Sequence, residues 1–227
     1  MNMLKPISPV PVLAALLACS TGPSTTPEAV RPPSAGSRYE RLVARLEAGD
    51  LSIDFDSLRY AYVESPRYMP YGFALDELQD SARAALEAGH NEQALRLADA
   101  MLDSSYVYPR AHLLAFAACD ALGDSARRDH HGYVLNGLLE SIERSGAGDS
   151  RDDPMVVVVL AEEYFYLYVH GLQLVSQALT SCGDVACDEL EVRSADSDST
   201  FHLYFDVSRL MEAVRRQIPP DPERNDQ

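Results

Sequence analysis

Between Ala84 and Arg128 the chain makes the same step twice. AALEAGHNEQAL (Ala84 to Leu95) is echoed by AACDALGDSARR (Ala117 to Arg128), and the turn glycines Gly89 and Gly123 stand 34 residues apart. Apolar residues flank each glycine at helical spacing: Leu75, Leu78, Ala82, Ala85 and Leu86 before the first, then Ala94, Leu95, Ala98, Met101 and Leu102 after it. A stripe recurring every three to four residues predicts an amphipathic helix, and a glycine between two stripes predicts an antiparallel pair. Asn91 is placed to cap the second helix, and Pro109 suits the first turn of a third, where a missing N–H costs nothing. Ala111 to Leu122 is apolar nearly all round, which predicts the most buried helix. A fourth follows Gly123 and Asp124, with Ala126, Val134, Leu135, Leu138, Leu139 and Ile142 inward.

The spacing is that of the tetratricopeptide repeat, in which each helical hairpin buries its apolar face against a neighbour. Two units are fewer than the roughly three that such stacking needs, so the flanks must complete the core. Upstream, Tyr39, Leu42, Val43 and Leu46 predict a short helix ended by Gly49, and Asp54 can cap another over Phe55 to Tyr62. Downstream of SGAGDSRDDP (Ser145 to Pro154) the pattern turns to strands. MVVVVL (Met155 to Leu160) reads as a strand buried on both faces, and Glu162 to His170 as a short helix. Leu172 to Thr180 and Val185 to Arg193 can pair as a hairpin, and Phe201, Leu203, Phe205 and Val207 alternate with polar residues along a further strand. Ser208 opens a last helix, with Leu210, Met211, Val214 and Ile218 inward. The fold class expected is α+β. An N-terminal tetratricopeptide-like repeat of about four to six helices (residues 38–144) packs with a C-terminal β-α-β-β-β-α region (residues 155–218) as one composite domain.

Charge and termini bear on address. The 227 residues carry 35 acidic against 19 basic side chains, a formal charge of −16, and Lys5 is the one lysine. Phosphate backbones are repelled by such a chain, so nucleic acid is not an expected partner. Residues 1–18 read as a lipoprotein signal peptide: Lys5, the apolar run ISPVPVLAALLA, and Leu16-Leu17-Ala18 before Cys19. Cleavage there would put lipid, including palmitate, on Cys19, and Ser20 implies outer-membrane sorting with the chain facing the periplasm. Residues 19–37, rich in Pro, Ser and Thr, read as a disordered tether, and residues 219–227 as a frayed tail.

Side chains with chemistry are few. Cys182 and Cys187 flank a turn, and in an oxidising compartment they can close a disulfide or remain as thiols on opposite faces. Cys119 lies in the apolar helix as a small buried hydrophobe. Six histidines form no ligand spacing, hydrolase motifs are missing, and no catalytic residue, metal or cofactor is assigned. Glu162 and Glu163 suit the positive end of their helix. Arg59, Tyr60, Tyr62, Arg67, Tyr68 and Tyr71 have the composition of a recognition surface, although the same residues could pack the first helices onto the rest.

IDFDSLRYAY (Ile53 to Tyr62), YMPYG (Tyr68 to Gly72), GLLESIERSGAGDS (Gly137 to Ser150), VVVLAEEY (Val157 to Tyr164) and LYFDV (Leu203 to Val207) together resemble a bacterial family, domain of unknown function 4919. The resemblance runs from about Arg38 to Ile218 and implies secreted or lipid-anchored proteins; it brings no activity, cofactor or catalytic residue. The function expected is an envelope lipoprotein acting as a protein-interaction or scaffold module, with a protein partner in the bacterial envelope and membrane contact through Cys19. A small-ligand-binding periplasmic lipoprotein, or an envelope hydrolase, stands as the alternative.

Overall fold

The structure is a computed structural model that describes residues 36–195 and 199–217. The signal peptide, Cys19, nearly all of the tether, Ile218 and the tail lie outside the described residues. Helix α1 (Arg38–Glu47) opens on a capping box, Ser37 accepting from the Glu40 amide and Glu40 from the Ser37 amide. Asp54 caps α2 (Phe55–Val63) by accepting from the Ser57 amide. Four longer helices follow: α3 (Asp76–Glu87), α4 (Asn91–Ser104), α5 (Pro109–Leu122) and α6 (Ser125–Glu143). Each packs on the next, and α3 also meets α5, as stacked helical hairpins do. Small residues set their closeness: Ala85, Ala94, Ala98, Ala115, Ala118 and Cys119 fill the seam.

Three details differ from expectation. Asn91 is the first helical residue, and His90 holds the cap position without a side-chain bond. Ala126 is exposed, because α6 turns its inward face only from His131 onward. Helix α5 is not buried all round; Phe116 and Leu122 are more than a third exposed.

The C-terminal half runs β1 (Met155–Val156), α7 (Ala161–Val169), β2 (Leu172–Cys182), β3 (Val185–Ser194), β4 (Thr200–Asp206) and α8 (Ser208–Gln217). The class is α+β, with a four-stranded mixed sheet in the order β1-β4-β3-β2. Its β1–β4 pair is parallel and the others antiparallel. Leu190 and Val192 of β3 and Leu203 and Phe205 of β4 form the buried face, whereas Phe201, at the open end of β4, is 40% exposed.

MVVVVL yields only two residues of strand. Met155 and Val156 pair with Phe205 and Asp206; Val157 to Val159 are buried yet irregular. Side chains take over from a strand partner there. Arg59 donates to the Val156 carbonyl, Tyr68 to the Val158 carbonyl, and the Val158 amide donates to Glu162. With its backbone satisfied that way, the segment needs no ladder to be buried.

The two halves share their core. Val159 and Ala161 join the cluster of Leu58, Tyr62, Met101 and Leu138, while Leu135 and Ile142 of α6 join the sheet residues. Gly137 permits one close approach, since a Cβ there would lie 2.1 Å from the Phe55 ring. Among the described residues no helix is long and apolar enough to cross a membrane.

Candidate functional site

The six Tyr and Arg residues do not form one surface. Arg59 is fully buried, and its Nε and Nη2 donate to the two Glu162 oxygens at 2.9 Å each. Its Nη1 donates to Ser141 Oγ at 2.9 Å, and that hydroxyl donates onward to Asp56. Tyr62 is buried between the rings of Tyr39 and Tyr68, its hydroxyl accepting from the Met69 amide. Tyr60 stacks under the Arg209 guanidinium, 4.6 Å from its ring centre. These residues join α2 to α6 and to the sheet half. Tyr and Arg carry apolar bodies with polar tips, so composition alone cannot say which face of α2 turns inward.

Glu162 and Glu163 are both fully buried rather than solvated at a helix end. Glu163 faces Asp188 of β3, and Gln177 Nε2 bridges them, donating to Glu163 Oε2 at 3.2 Å and Asp188 Oδ2 at 2.8 Å. Glu163 Oε1 meets no donor among the described residues. Burial, then the Asp188 carboxylate, raises the Glu163 pKa well above the usual glutamate range. The signal for this cluster was two acids inside the otherwise apolar AEEYFYLYV.

A cavity of about 450 Å³ lies between the ends of α1, α4 and α6. Its lining combines Leu102, Tyr106, Ala126, His130 and His131 with the acids Glu47, Asp99 and Asp103 and the cation Arg127. A second cavity of about 190 Å³ adjoins it, sharing Glu47, Leu102, Asp103 and Tyr106 and continuing to Val43 and Arg67. Asp99 is paired with Arg127 at 2.7 Å, and Glu40 with Arg67 at 3.4 Å. Glu47 and Asp103 have no ion pair among the described residues. Partial burial, and then Asp103, raise the Glu47 pKa. Both acids sit in the last turn of their helices, where the partial charge is already negative. Two helix ends and two unpaired carboxylates therefore meet beside Leu102 and Tyr106, with the Arg67 guanidinium donating to the Asp103 carbonyl at 2.7 Å.

The histidines beside this groove are neutral. His112 Nε2 lies 2.7 Å from the Tyr106 carbonyl and must donate to it, so its Nδ1 accepts from His131 Nδ1 at 3.0 Å. Burial and then His131 depress His112 to about 3; burial and then His130 bring His131 to about 4. Among the described residues no group of three or more His, Cys, Asp or Glu is arranged to hold a metal. Cys182 and Cys187 are joined as a disulfide across the β2–β3 turn, and Cys119 is a buried free thiol.

Of the predicted surface residues, Arg67 reaches the smaller of these cavities. Tyr71 lines another, which shares none of their lining residues. No curated protein and no solved structure matches the chain. Among known families, residues 25–216 match the one described as domain of unknown function (DUF4919). The match takes in both helical hairpins, the buried Arg59–Glu162 pair and the sheet, and on that extent the chain belongs to the DUF4919 family.

Proposed function

We propose that this protein is a lipid-anchored envelope protein whose helical half docks a basic segment of a protein partner in the groove between α1, α4 and α6. The observation that carries the reading is the pair Glu47 and Asp103. Each is an acid at a helix C-terminus, where the partial charge favours cations, and neither carboxylate is in an ion pair among the described residues; the cations nearby are engaged elsewhere, Arg45 with Asp50 and Arg67 with Glu40 and the Asp103 carbonyl. Local rules are most often broken where function demands it. A lysine or arginine from a partner would lay its aliphatic stem on Leu102 and Tyr106 and bring its charge between the two carboxylates. The lipobox ending at Cys19 and the Pro/Ser/Thr tether support the address, since they would hold the groove away from the membrane surface.

The test is an NMR titration of the purified chain with trilysine and, separately, triglutamate. Trilysine is expected to shift resonances of α1, α4 and α6 in a salt-sensitive way, and the Glu47→Gln/Asp103→Asn variant should lose that response while gaining thermal stability. Shifts spread evenly over the acidic surface and unaltered in the variant would sink the proposal. For the address, Cys19→Ser should move the protein from the membrane to the soluble envelope fraction; unchanged fractionation would remove the lipid anchor from the reading.

A further inference from the structure

Away from the acidic groove, with no lining residue in common, the segment Tyr71-Gly72-Phe73 closes a cleft against the starts of α3, α5 and α7. The cleft holds about 160 Å³, and through Gln79 and Arg110, which line both, it adjoins a space of about 330 Å³ that ends at Tyr168. Its walls contradict a purely structural purpose. Phe73 is 71% exposed and Tyr168 69%, so two large rings stand in water at either end. Tyr71 and Phe73 are stacked nearly parallel, 8° between planes with centres 5.4 Å apart, so Tyr71 backs the Phe73 ring and the outer face of the stacked pair, on the exposed Phe73, is the aromatic platform.

The platform is held firmly. The Leu160 amide donates to the Pro70 carbonyl at 2.8 Å, tying the segment to α7. Gly72 adopts the left-handed conformation (φ 66°) so close to Tyr108 that a Cβ would come within 2.9 Å of its ring. Three polar groups share the cleft. Arg110 lies over the Tyr164 ring at 5.7 Å and makes no ion pair among the described residues. Asp76 opens α3, also without an ion pair there. Gln79 accepts only a long 3.4 Å bond from the Tyr108 hydroxyl, and its amide nitrogen makes no hydrogen bond among the described residues.

We propose that this cleft binds a saccharide, with one pyranose ring lying on the Tyr71–Phe73 platform and its hydroxyls meeting Asp76, Gln79 and Arg110. A ring hydroxyl both donates and accepts, so it can meet a carboxylate, an amide and a guanidinium at once. A wholly apolar ligand would strand those three groups. A simple anion would meet Asp76 and a simple cation Arg110, which leaves a neutral, ring-shaped polyol as the fitting chemistry. The inference is independent of the docking groove, with which the cleft shares no lining residue.

Saturation-transfer NMR on the purified full-length chain tests it, with cellobiose and di-N-acetylchitobiose as probes for a plain glucan and an amino sugar. Transfer to the ring C–H protons of at least one is expected, with affinity in the weak millimolar range or better. Phe73→Ala and Arg110→Ala should each weaken binding about ten-fold or more, equivalent to roughly 1.4 kcal/mol. Phe73 is exposed enough that its loss should leave the melting temperature unchanged, so a folding defect will not imitate loss of binding. Glu47→Gln/Asp103→Asn should bind sugar normally. Absence of transfer to both disaccharides at about 20 mM, or transfer that neither Phe73→Ala nor Arg110→Ala diminishes, would overturn the inference.

Discussion

Glu162 and Glu163 are neighbours on one helix, are equally inaccessible to water, and meet opposite fates. Glu162 receives both arms of the Arg59 guanidinium and the Val158 amide, so its charge is matched and its lone pairs are occupied. Glu163, about 100° further round the helix, faces Asp188, a second acid, with one glutamine amide between them. Burial by itself therefore says little about a carboxylate. What matters is whether the opposing element brings a cation or another acid, and here α2 brings the first and β3 the second. The Glu162 site has the marks of a specific joint between the halves; at the Glu163 site burial and a facing acid favour the protonated form.

The comparison can be broken most forcefully from the Arg59 side. Arg59→Met should destabilise the protein by about 3–5 kcal/mol in urea unfolding, because Glu162 is left charged and buried. Adding Glu162→Leu should recover much of that loss, which would identify the stranded charge, not the missing contact, as the cause. No recovery would mean that the Ser141 and Val156 bonds carry the effect.

Removing the disulfide, which joins the last residue of β2 to the third residue of β3, next to Asp188, should cost about 2 kcal/mol for so short a loop. Calorimetry of the Cys182→Ser/Cys187→Ser variant checks this. A change near zero would show that strand pairing alone holds the hairpin.

Proton linkage sharpens the contrast further. The Glu163 pKa is raised, so its contribution to stability is complete below the ordinary glutamate value and is lost as pH climbs towards the raised one. His112 and His131 work in the other direction. Depressed to about 3 and 4, they contribute fully above about 6.5 and lose that contribution as pH falls. A plot of stability against pH should thus decline on both sides. Glu163→Gln, which imitates the protonated acid, should flatten only the alkaline side and gain about 1 kcal/mol at pH 8. An unchanged alkaline decline would mean that Glu163 is ionised in the folded protein.

The smallest effect belongs to the exposed ion pairs of α3. Arg83 faces Asp80 at 3.1 Å and Glu87 at 3.6 Å, all three well exposed, and Arg83→Ala should cost less than about 0.5 kcal/mol by thermal melting. A larger loss would undo the distinction drawn here between solvated and buried charge.

Much of the fold was legible because its signals are local. The glycine step, the apolar stripes of α3 and α4, the Asp54 cap and the alternation of Leu203 and Phe205 each depend on residues a few positions apart. The candidate site was legible only in part. Arg67 and Tyr71 do reach cavities, but Arg59 and Tyr62 belong to the core, a difference that rests on which face of α2 meets α6. Acids in the last turns of α1 and α4, written plainly in the chain, were a stronger clue to the groove than the tyrosines.

By itself, then, the sequence determined the helical hairpins, the strand order along the chain and the hairpin spanned by Cys182 and Cys187, since backbone periodicity and turn chemistry act over short distances. Tertiary structure alone decided that Arg59 would meet Glu162 across 103 positions, that Glu163 would face Asp188 of β3 across one glutamine amide, and that a run of valines would be buried without being a strand. Those outcomes depend on how two halves, each lacking a complete core, close on one another, and no local pattern encodes which side chains that closure brings together.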